Sequence, residues 1–318
     1  MHLRACVAFI LTICAAAVIA APAAQAAPKA KAKPTKAKQY YLSLGDSLSV
    51  GIQPGPANDP GHEAAIVQTD QGYSDQLYAM AKRRYRNLQL VKAGCSGATT
   101  ENFLHGGINV TGKGYCTPPS VPQLYASTST RTSQMAYARR FLRQHRGHVA
   151  FVTISIGNND LDSCLVNGSL DLPCVEQGTK EIDRDLAIIG KALRRAAGRG
   201  VPIVGTTFYD PYLGLYATGG PSGQSIAAAS QTLAQTINTK TVIPAWQANG
   251  IKVARVDEAF GTYTPLSQLN ANGVPVAVSN VCEWTWFCAP APAGPNIHAN
   301  EVGYGVMARA LWSALRRR

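Results

Sequence analysis

The chain has 318 residues, 46% of them hydrophobic, a size that suits one α/β domain with a substantial core. Its formal net charge of +12 owes much to a lysine-rich segment near the start and to the terminal Arg316-Arg317-Arg318. This distribution points to surface electrostatics and anionic cell-wall polymers, and no helix-turn-helix, zinc finger or RNA-binding aromatic motif supports a nucleic-acid partner.

Residues 1–26 read MHLRACVAFILTICAAAVIAAPAAQA, with Arg4, an apolar stretch and the small-residue pattern Ala24-Gln25-Ala26. That is the pattern of a secretory signal peptide, so a secreted protein beginning near Ala27 is expected. Lipidation at Cys14 is disfavoured, because the bulky Ile13 precedes it where a small residue is needed. Nothing later is apolar enough to form a transmembrane segment. Residues 27–38 alternate Lys, Ala and Pro with no apolar face, as a basic tether would, and could contact an anionic cell wall. Residues 39–318 form the globular body, expected to act as a monomer.

In that body, apolar runs at Tyr40–Leu44, Leu88–Val91, Val149–Ile156, Val201–Thr206 and Ile251–Val256 predict strands. Between them, residues 181–198 place Ile182, Leu186, Ile189, Leu193 and Ala197 on one helical face, with charge on the other. Further helices are predicted over Tyr73–Tyr85, Thr132–Gln144, Ser225–Gln247 and Glu301–Leu315. This alternation predicts a central parallel sheet covered by helices on both faces. Ligands of such sheets bind beyond the carboxyl ends of the strands. Three connections, Ser49–Gln71, Gly94–Thr130 and Glu258–His298, exceed ordinary loop length and so are candidates for function.

Apart from Cys6 and Cys14, the cysteines fall into three neighbouring couples. Sequential pairing, Cys95 with Cys116, Cys164 with Cys174 and Cys282 with Cys288, is the preferred pattern for an exported chain. Their spacing does not fit a zinc site, so no metal is expected, and no P-loop or GxGxxG follows a strand to hold a nucleotide cofactor.

The first strand runs into GDSLSVG, where Ser47 could be a turn residue, a helix cap or a nucleophile. Three further segments fall on the same rim: AGCSGATT with Gly97, IGNND with Asn159, and NIHANEVGYG with His298. Taken singly, Gly97 reads as a turn glycine, Asn159 as a cap and His298 as a helix-entry residue. Together, in this order and over nearly the whole body, they resemble the SGNH or GDSL family of serine hydrolases. The resemblance implies a three-layer α/β/α sandwich. It implies Ser47 as nucleophile and His298 as base. It also implies an oxyanion hole from the Ser47 and Gly97 N–H groups and the Asn159 amide.

One position departs from the family pattern. Where members usually carry an aspartate three residues before the histidine, this chain has Pro295. Some secreted actinobacterial relatives work as a Ser-His dyad with a main-chain carbonyl orienting the imidazole, and the tether and the CEWTWFCAP loop resemble theirs. The Pro295 carbonyl is the expected counterpart, which would leave Asn296 of little consequence. Asp257, Glu283 and Glu301 are the competing carboxylates. The reading is a secreted esterase or lipase acting on a small-molecule or lipid ester. Its rivals are an acyltransferase using the same acyl-enzyme and a non-catalytic wall-binding relative. Trp284, Trp286 and Phe287 either line an acyl site or form the small core of their own loop.

Overall fold

The computed structural model describes residues 37–55, 66–106, 133–166 and 168–317. Strand β1 (Gln39–Gly45) runs into a one-turn helix α1 (Ser47–Val50), followed by a small hairpin of β2 (Ile52–Pro54) and β3 (Ile66–Gln68). Next come α2 (Tyr73–Ala81), β4 (Leu88–Lys92), α3 (Thr100–His105), α4 (Gln134–Gln144) and β5 (Val149–Ser155). A hairpin of β6 (Leu165–Val166) and β7 (Ser169–Leu170) leads into α5 (Leu172–Ala197) and β8 (Ile203–Thr206). The chain continues through α6 (Leu215–Thr218), α7 (Gly220–Ile237), α8 (Ile243–Ala248), β9 (Lys252–Ala254), α9 (Val256–Ala259), α10 (Val276–Trp284) and α11 (Glu301–Arg316).

The five strands read from the apolar runs form one parallel sheet in the order β4-β1-β5-β8-β9. Successive side chains leave a strand on opposite faces. Accordingly Tyr41 and Phe151 pack with Leu77, Tyr304 and Leu311 of α2 and α11. Their neighbours Leu42 and Val152 pack the other way, with Phe141, Leu186 and Trp246 of α4, α5 and α8. The result is the expected α/β architecture, a sheet with helices on both faces. After β1 the chain crosses to β4 on one side, and every later strand lies on the other. The carboxyl ends of β1 and β5 therefore flank the point where the winding reverses, which is where such sheets open a crevice.

Two helices differ from their sequence reading. The helix predicted from residue 181 begins at Leu172, because Asp171 caps it by accepting from Cys174 N at 3.2 Å, Pro173 fits its first turn, and Cys164–Cys174 staples its start. The stretch 225–247 is interrupted by a π-helical turn at Asn238–Val242. Pro244 has no N–H for the preceding turn, and the buried Asn238 amide is held by the Phe208 backbone on both sides, at 2.9 and 2.8 Å. The long connections contain structure that periodicity did not reveal, notably the β2–β3 hairpin, α3 and α10.

Candidate active site

The turn after β1 is built around close backbone approach. Gly45 has φ +123°, and a β-carbon there would collide with the Ser155 carbonyl of β5. The Gln134 amide also clamps Gly45, accepting from its N–H at 2.6 Å and donating to its carbonyl at 2.9 Å. Asp46 N–H then donates to Ser155 O at 2.8 Å, and its Oδ1 caps α1 by accepting from Leu48 N at 3.1 Å. Ser47 follows as the first residue of α1, 7% exposed and on the wall of a cavity. Ser49 plays a different part. It is fully buried and its Oγ donates to the Asp46 carbonyl at 2.6 Å, so it holds the turn together.

The cavity has about 890 Å³ of atom-free space, its open mouth included. Ser47, Asn159 and His298 line it together. Asn159 lies in the short helical turn after β5, and its Nδ2 donates to Ala98 O at 2.9 Å. One N–H is spent on that carbonyl, and the second remains for a ligand. The same bond brings Asn159 beside Gly97, which is exposed, has φ +75° and lies outside the cavity lining. A positive φ of that size strains any residue with a β-carbon, which is why glycine stands there.

His298 is 8% exposed and sits two residues before Asn300, the cap of α11. The segment around it is tied to the Cys282–Cys288 loop. Trp286 N–H donates to His298 O at 3.0 Å, Asn296 N–H to Trp286 O at 3.2 Å, and Thr285 bridges Ala299. The Tyr209 hydroxyl donates to Ile297 O at 2.6 Å from the sheet side.

The group at the imidazole Nδ1 is Asn296 Oδ1, at 2.7 Å, and this corrects the assignment of Pro295. Asn296 Oδ1 also accepts from the His298 backbone N–H at 3.0 Å. Since a backbone N–H can only donate, the amide oxygen must face it, and Nδ1 beside that same oxygen must carry a proton. Nε2 is left as an acceptor. The sequence signal was an Asx turn, an asparagine bonding the backbone two residues on. Of the competing carboxylates, Asp257 is engaged elsewhere, and Glu283 and Glu301 are exposed. Asp257 is buried against Arg255, Thr207 and Tyr263, while Glu283 and Glu301 meet neighbours through their backbone carbonyls.

Burial dominates the electrostatics. It lowers His298 to about 4, so the ring is neutral over most of the pH range. It raises Asp46 to about 7, against the opposing hydrogen bond from Leu48 N–H and with further lift from Asp162. Asp162, also on the cavity wall, is pushed up to about 7, chiefly by burial. Sequence reasoning missed Asp162 and Asp210 as cavity residues; both follow strands by several positions and have no periodic signal.

The three aromatics of the CEWTWFCAP segment neither line an acyl site nor form a core of their own loop together. Phe287 packs into a small cluster with Leu213, Ala277 and Val281, Trp284 meets Phe260 edge to face, and Trp286 Nε1 donates to Gln53 Oε1 at 3.2 Å. None of them lines the cavity. Cys164–Cys174 and Cys282–Cys288 are bonded as expected. Cys95 is disulfide-bonded too, but Cys116 and the proposed pairing with it lie outside the described residues, as do the signal peptide and most of the tether. Among the described residues no helix is long and apolar enough to cross a membrane.

No family model matches the chain, and no curated protein matches it. Some solved structures align with most of its length. An acetylxylan esterase from Geobacillus stearothermophilus aligns at 13% identity and TM-score 0.46, over 88% of this chain and 95% of that one. A member of the lipolytic protein G-D-S-L family from Veillonella parvula aligns at 11% identity and TM-score 0.41, over 88% of this chain and all of that one, 100%.

Proposed function

We propose that the chain is an exported serine hydrolase of carboxylic esters. Ser47 Oγ attacks the ester carbonyl as Nε2 of His298 takes its proton, and the same imidazolium then protonates the departing alcohol. Water, deprotonated by His298, releases the acid from the acyl-enzyme. The observation that carries this reading is the Asn296–His298 pair on the cavity wall shared with Ser47. It presents a neutral imidazole with the acceptor nitrogen free, as a base for a serine requires. The paired cysteines and the signal-like first 26 residues support export.

Donors for the developing oxyanion are the Ser47 and Gly97 N–H groups and the free Asn159 amide N–H. Asn159→Ala should lower kcat by about 10²–10³-fold with KM little changed. Steady-state kinetics decide this, and a loss confined to KM would remove Asn159 from the role. Beyond Ser47 the cavity is walled by Leu161, Leu170, Phe208, Leu233 and Ile237, which suits an aliphatic acyl chain. Each buried methylene is worth about 0.8 kcal/mol. With p-nitrophenyl esters, kcat/KM for hexanoate should therefore exceed that for acetate by more than about tenfold. A maximum at acetate would contradict an acyl chain in this cavity. Covalent labelling of Ser47 by an organophosphate tests the reading as a whole, and a wild-type chain that turns over no ester and takes up no label is not a serine hydrolase.

A further inference from the structure

A second concave surface lies away from the cavity, between α4 and α5. It is lined by Arg139, Arg143 and Arg146 from one side and by Lys191 and Arg195 from the other, with Ile188 between them. All five cations are exposed, and among the described residues none forms an ion pair or side-chain hydrogen bond. Arg194, next to them in sequence, shows what a structural arginine looks like here: it donates to the carbonyls of Gly198, Val201 and Gly250 at 2.9, 2.8 and 2.7 Å. Nor are there acids to neutralise the five. Residues 133–148 and 186–200, which carry the two facing stripes, contain no Asp or Glu.

This pattern costs the isolated fold something. Arg139 with Arg143 and Lys191 with Arg195 are like charges four residues apart on one helix, an arrangement that destabilises helices. Helix dipoles account for Arg143 and Arg195, which sit in the last turns of α4 and α5. They do not account for Arg139 or Lys191, which lie further in, or for the convergence of both stripes on one groove.

The position is also informative. α4 and α5 each lead directly into a parallel strand, β5 and β8, so their C-terminal ends lie at the amino edge of the sheet, opposite the rim that holds Ser47. The chain comes into β1 at the same edge, where Lys38 O meets the His148 ring at 3.2 Å and Tyr40 N–H donates to His148 O at 2.8 Å. Lys38 thus enters the fold at this pole.

We propose that the α4–α5 groove binds a linear phosphate polymer, a flexible chain of repeating phosphate groups, and so docks the protein with its cavity facing away from the polymer. Four of the five cations are arginines, whose planar guanidinium matches phosphate oxygens in pairs. Facing walls allow a chain to be gripped from both sides, which a flat bilayer surface cannot exploit.

The test uses the full chain and medium-length inorganic polyphosphate, with affinity measured by calorimetry over a series of salt concentrations. Arg143→Glu with Arg195→Glu should weaken binding by at least about tenfold and make the salt dependence shallower, by about one unit of slope for each phosphate no longer neutralised. Lys240→Glu with Arg309→Glu makes the same change in net charge at exposed positions outside the groove, and should weaken binding by less than about threefold, as screened distant charges do. Equal losses in the two double variants would show a general charge effect and overturn the groove. So would full competition by orthophosphate at the same phosphate concentration, or binding only to anionic phospholipid vesicles. Circular dichroism checks the fold, and Arg143→Gln with Arg195→Gln replaces the reversal pair if that pair is unfolded. Ester turnover should be unchanged in all of these variants, so the outcome does not depend on the chemistry at Ser47.

Discussion

Replacing Ser47 by alanine is expected to lower kcat for ester hydrolysis by about 10⁴–10⁶-fold, the loss seen when a serine nucleophile is removed from a site whose other parts stay intact. The fold should survive, because Ser47 makes no side-chain hydrogen bond among the described residues and the α1 cap belongs to Asp46. Ser49→Ala is the control in the same turn. It deletes a buried hydroxyl bonded to Asp46 O, so the expected cost is about 1 kcal/mol of stability with turnover largely kept. Thermal melts and initial rates on the two variants separate the roles. Activity lost in Ser49→Ala and retained in Ser47→Ala would mean that the nucleophile has been placed two residues too early.

The sheet was legible in the sequence because parallel strands buried on both faces appear as short apolar runs, and all five runs became strands of one sheet. The periodic face of α5 was equally plain, since Ile182, Leu186, Ile189 and Leu193 are all buried. Elements set by single side chains were not. The π-helical turn depends on where the Asn238 amide finds Phe208, and the earlier start of α5 on a capping aspartate and a disulfide. At the site, Ser47, Asn159 and His298 do share one cavity wall, while Gly97 stands beside Asn159 and outside the lining. At the His298 ring the contact is made by Asn296, one residue after the expected Pro295. A main-chain carbonyl can be supplied by any position, whereas an asparagine two residues before a histidine has a local hydrogen bond available to it, and the turn geometry decides between them. The carboxyls of Asp162 and Asp210 come to the cavity only through tertiary packing, so nothing local marked them.

Because Asn296 fixes the imidazole through an uncharged oxygen, its variants should separate orientation from charge. Asn296→Ala removes both the Asx bond and the Nδ1 acceptor. The ring can then turn and either nitrogen can carry the proton, and kcat should fall by about 10²–10⁴-fold, approaching the cost of a wrong tautomer in a triad. Asn296→Asp keeps an oxygen that can accept both bonds, and adds a negative charge beside Nδ1. A carboxylate there favours the imidazolium and raises the histidine pKa by about one to three units. The sign follows directly. The base works in its neutral form, so kcat/KM rises with pH through the histidine pKa. In the wild type, where burial holds His298 at about 4, the acid limb should lie below the ordinary histidine range. In Asn296→Asp the limb should move to higher pH while the plateau rate is kept. Asp46 and Asp162 titrate near 7 on the same cavity, but they are common to both proteins and drop out of the comparison. Full pH–rate profiles for the three proteins, with the fold checked at each end of the range, provide the measurement. If Asn296→Ala keeps its rate, or if the limb of Asn296→Asp stays where the wild type has it, the group that orients His298 lies elsewhere.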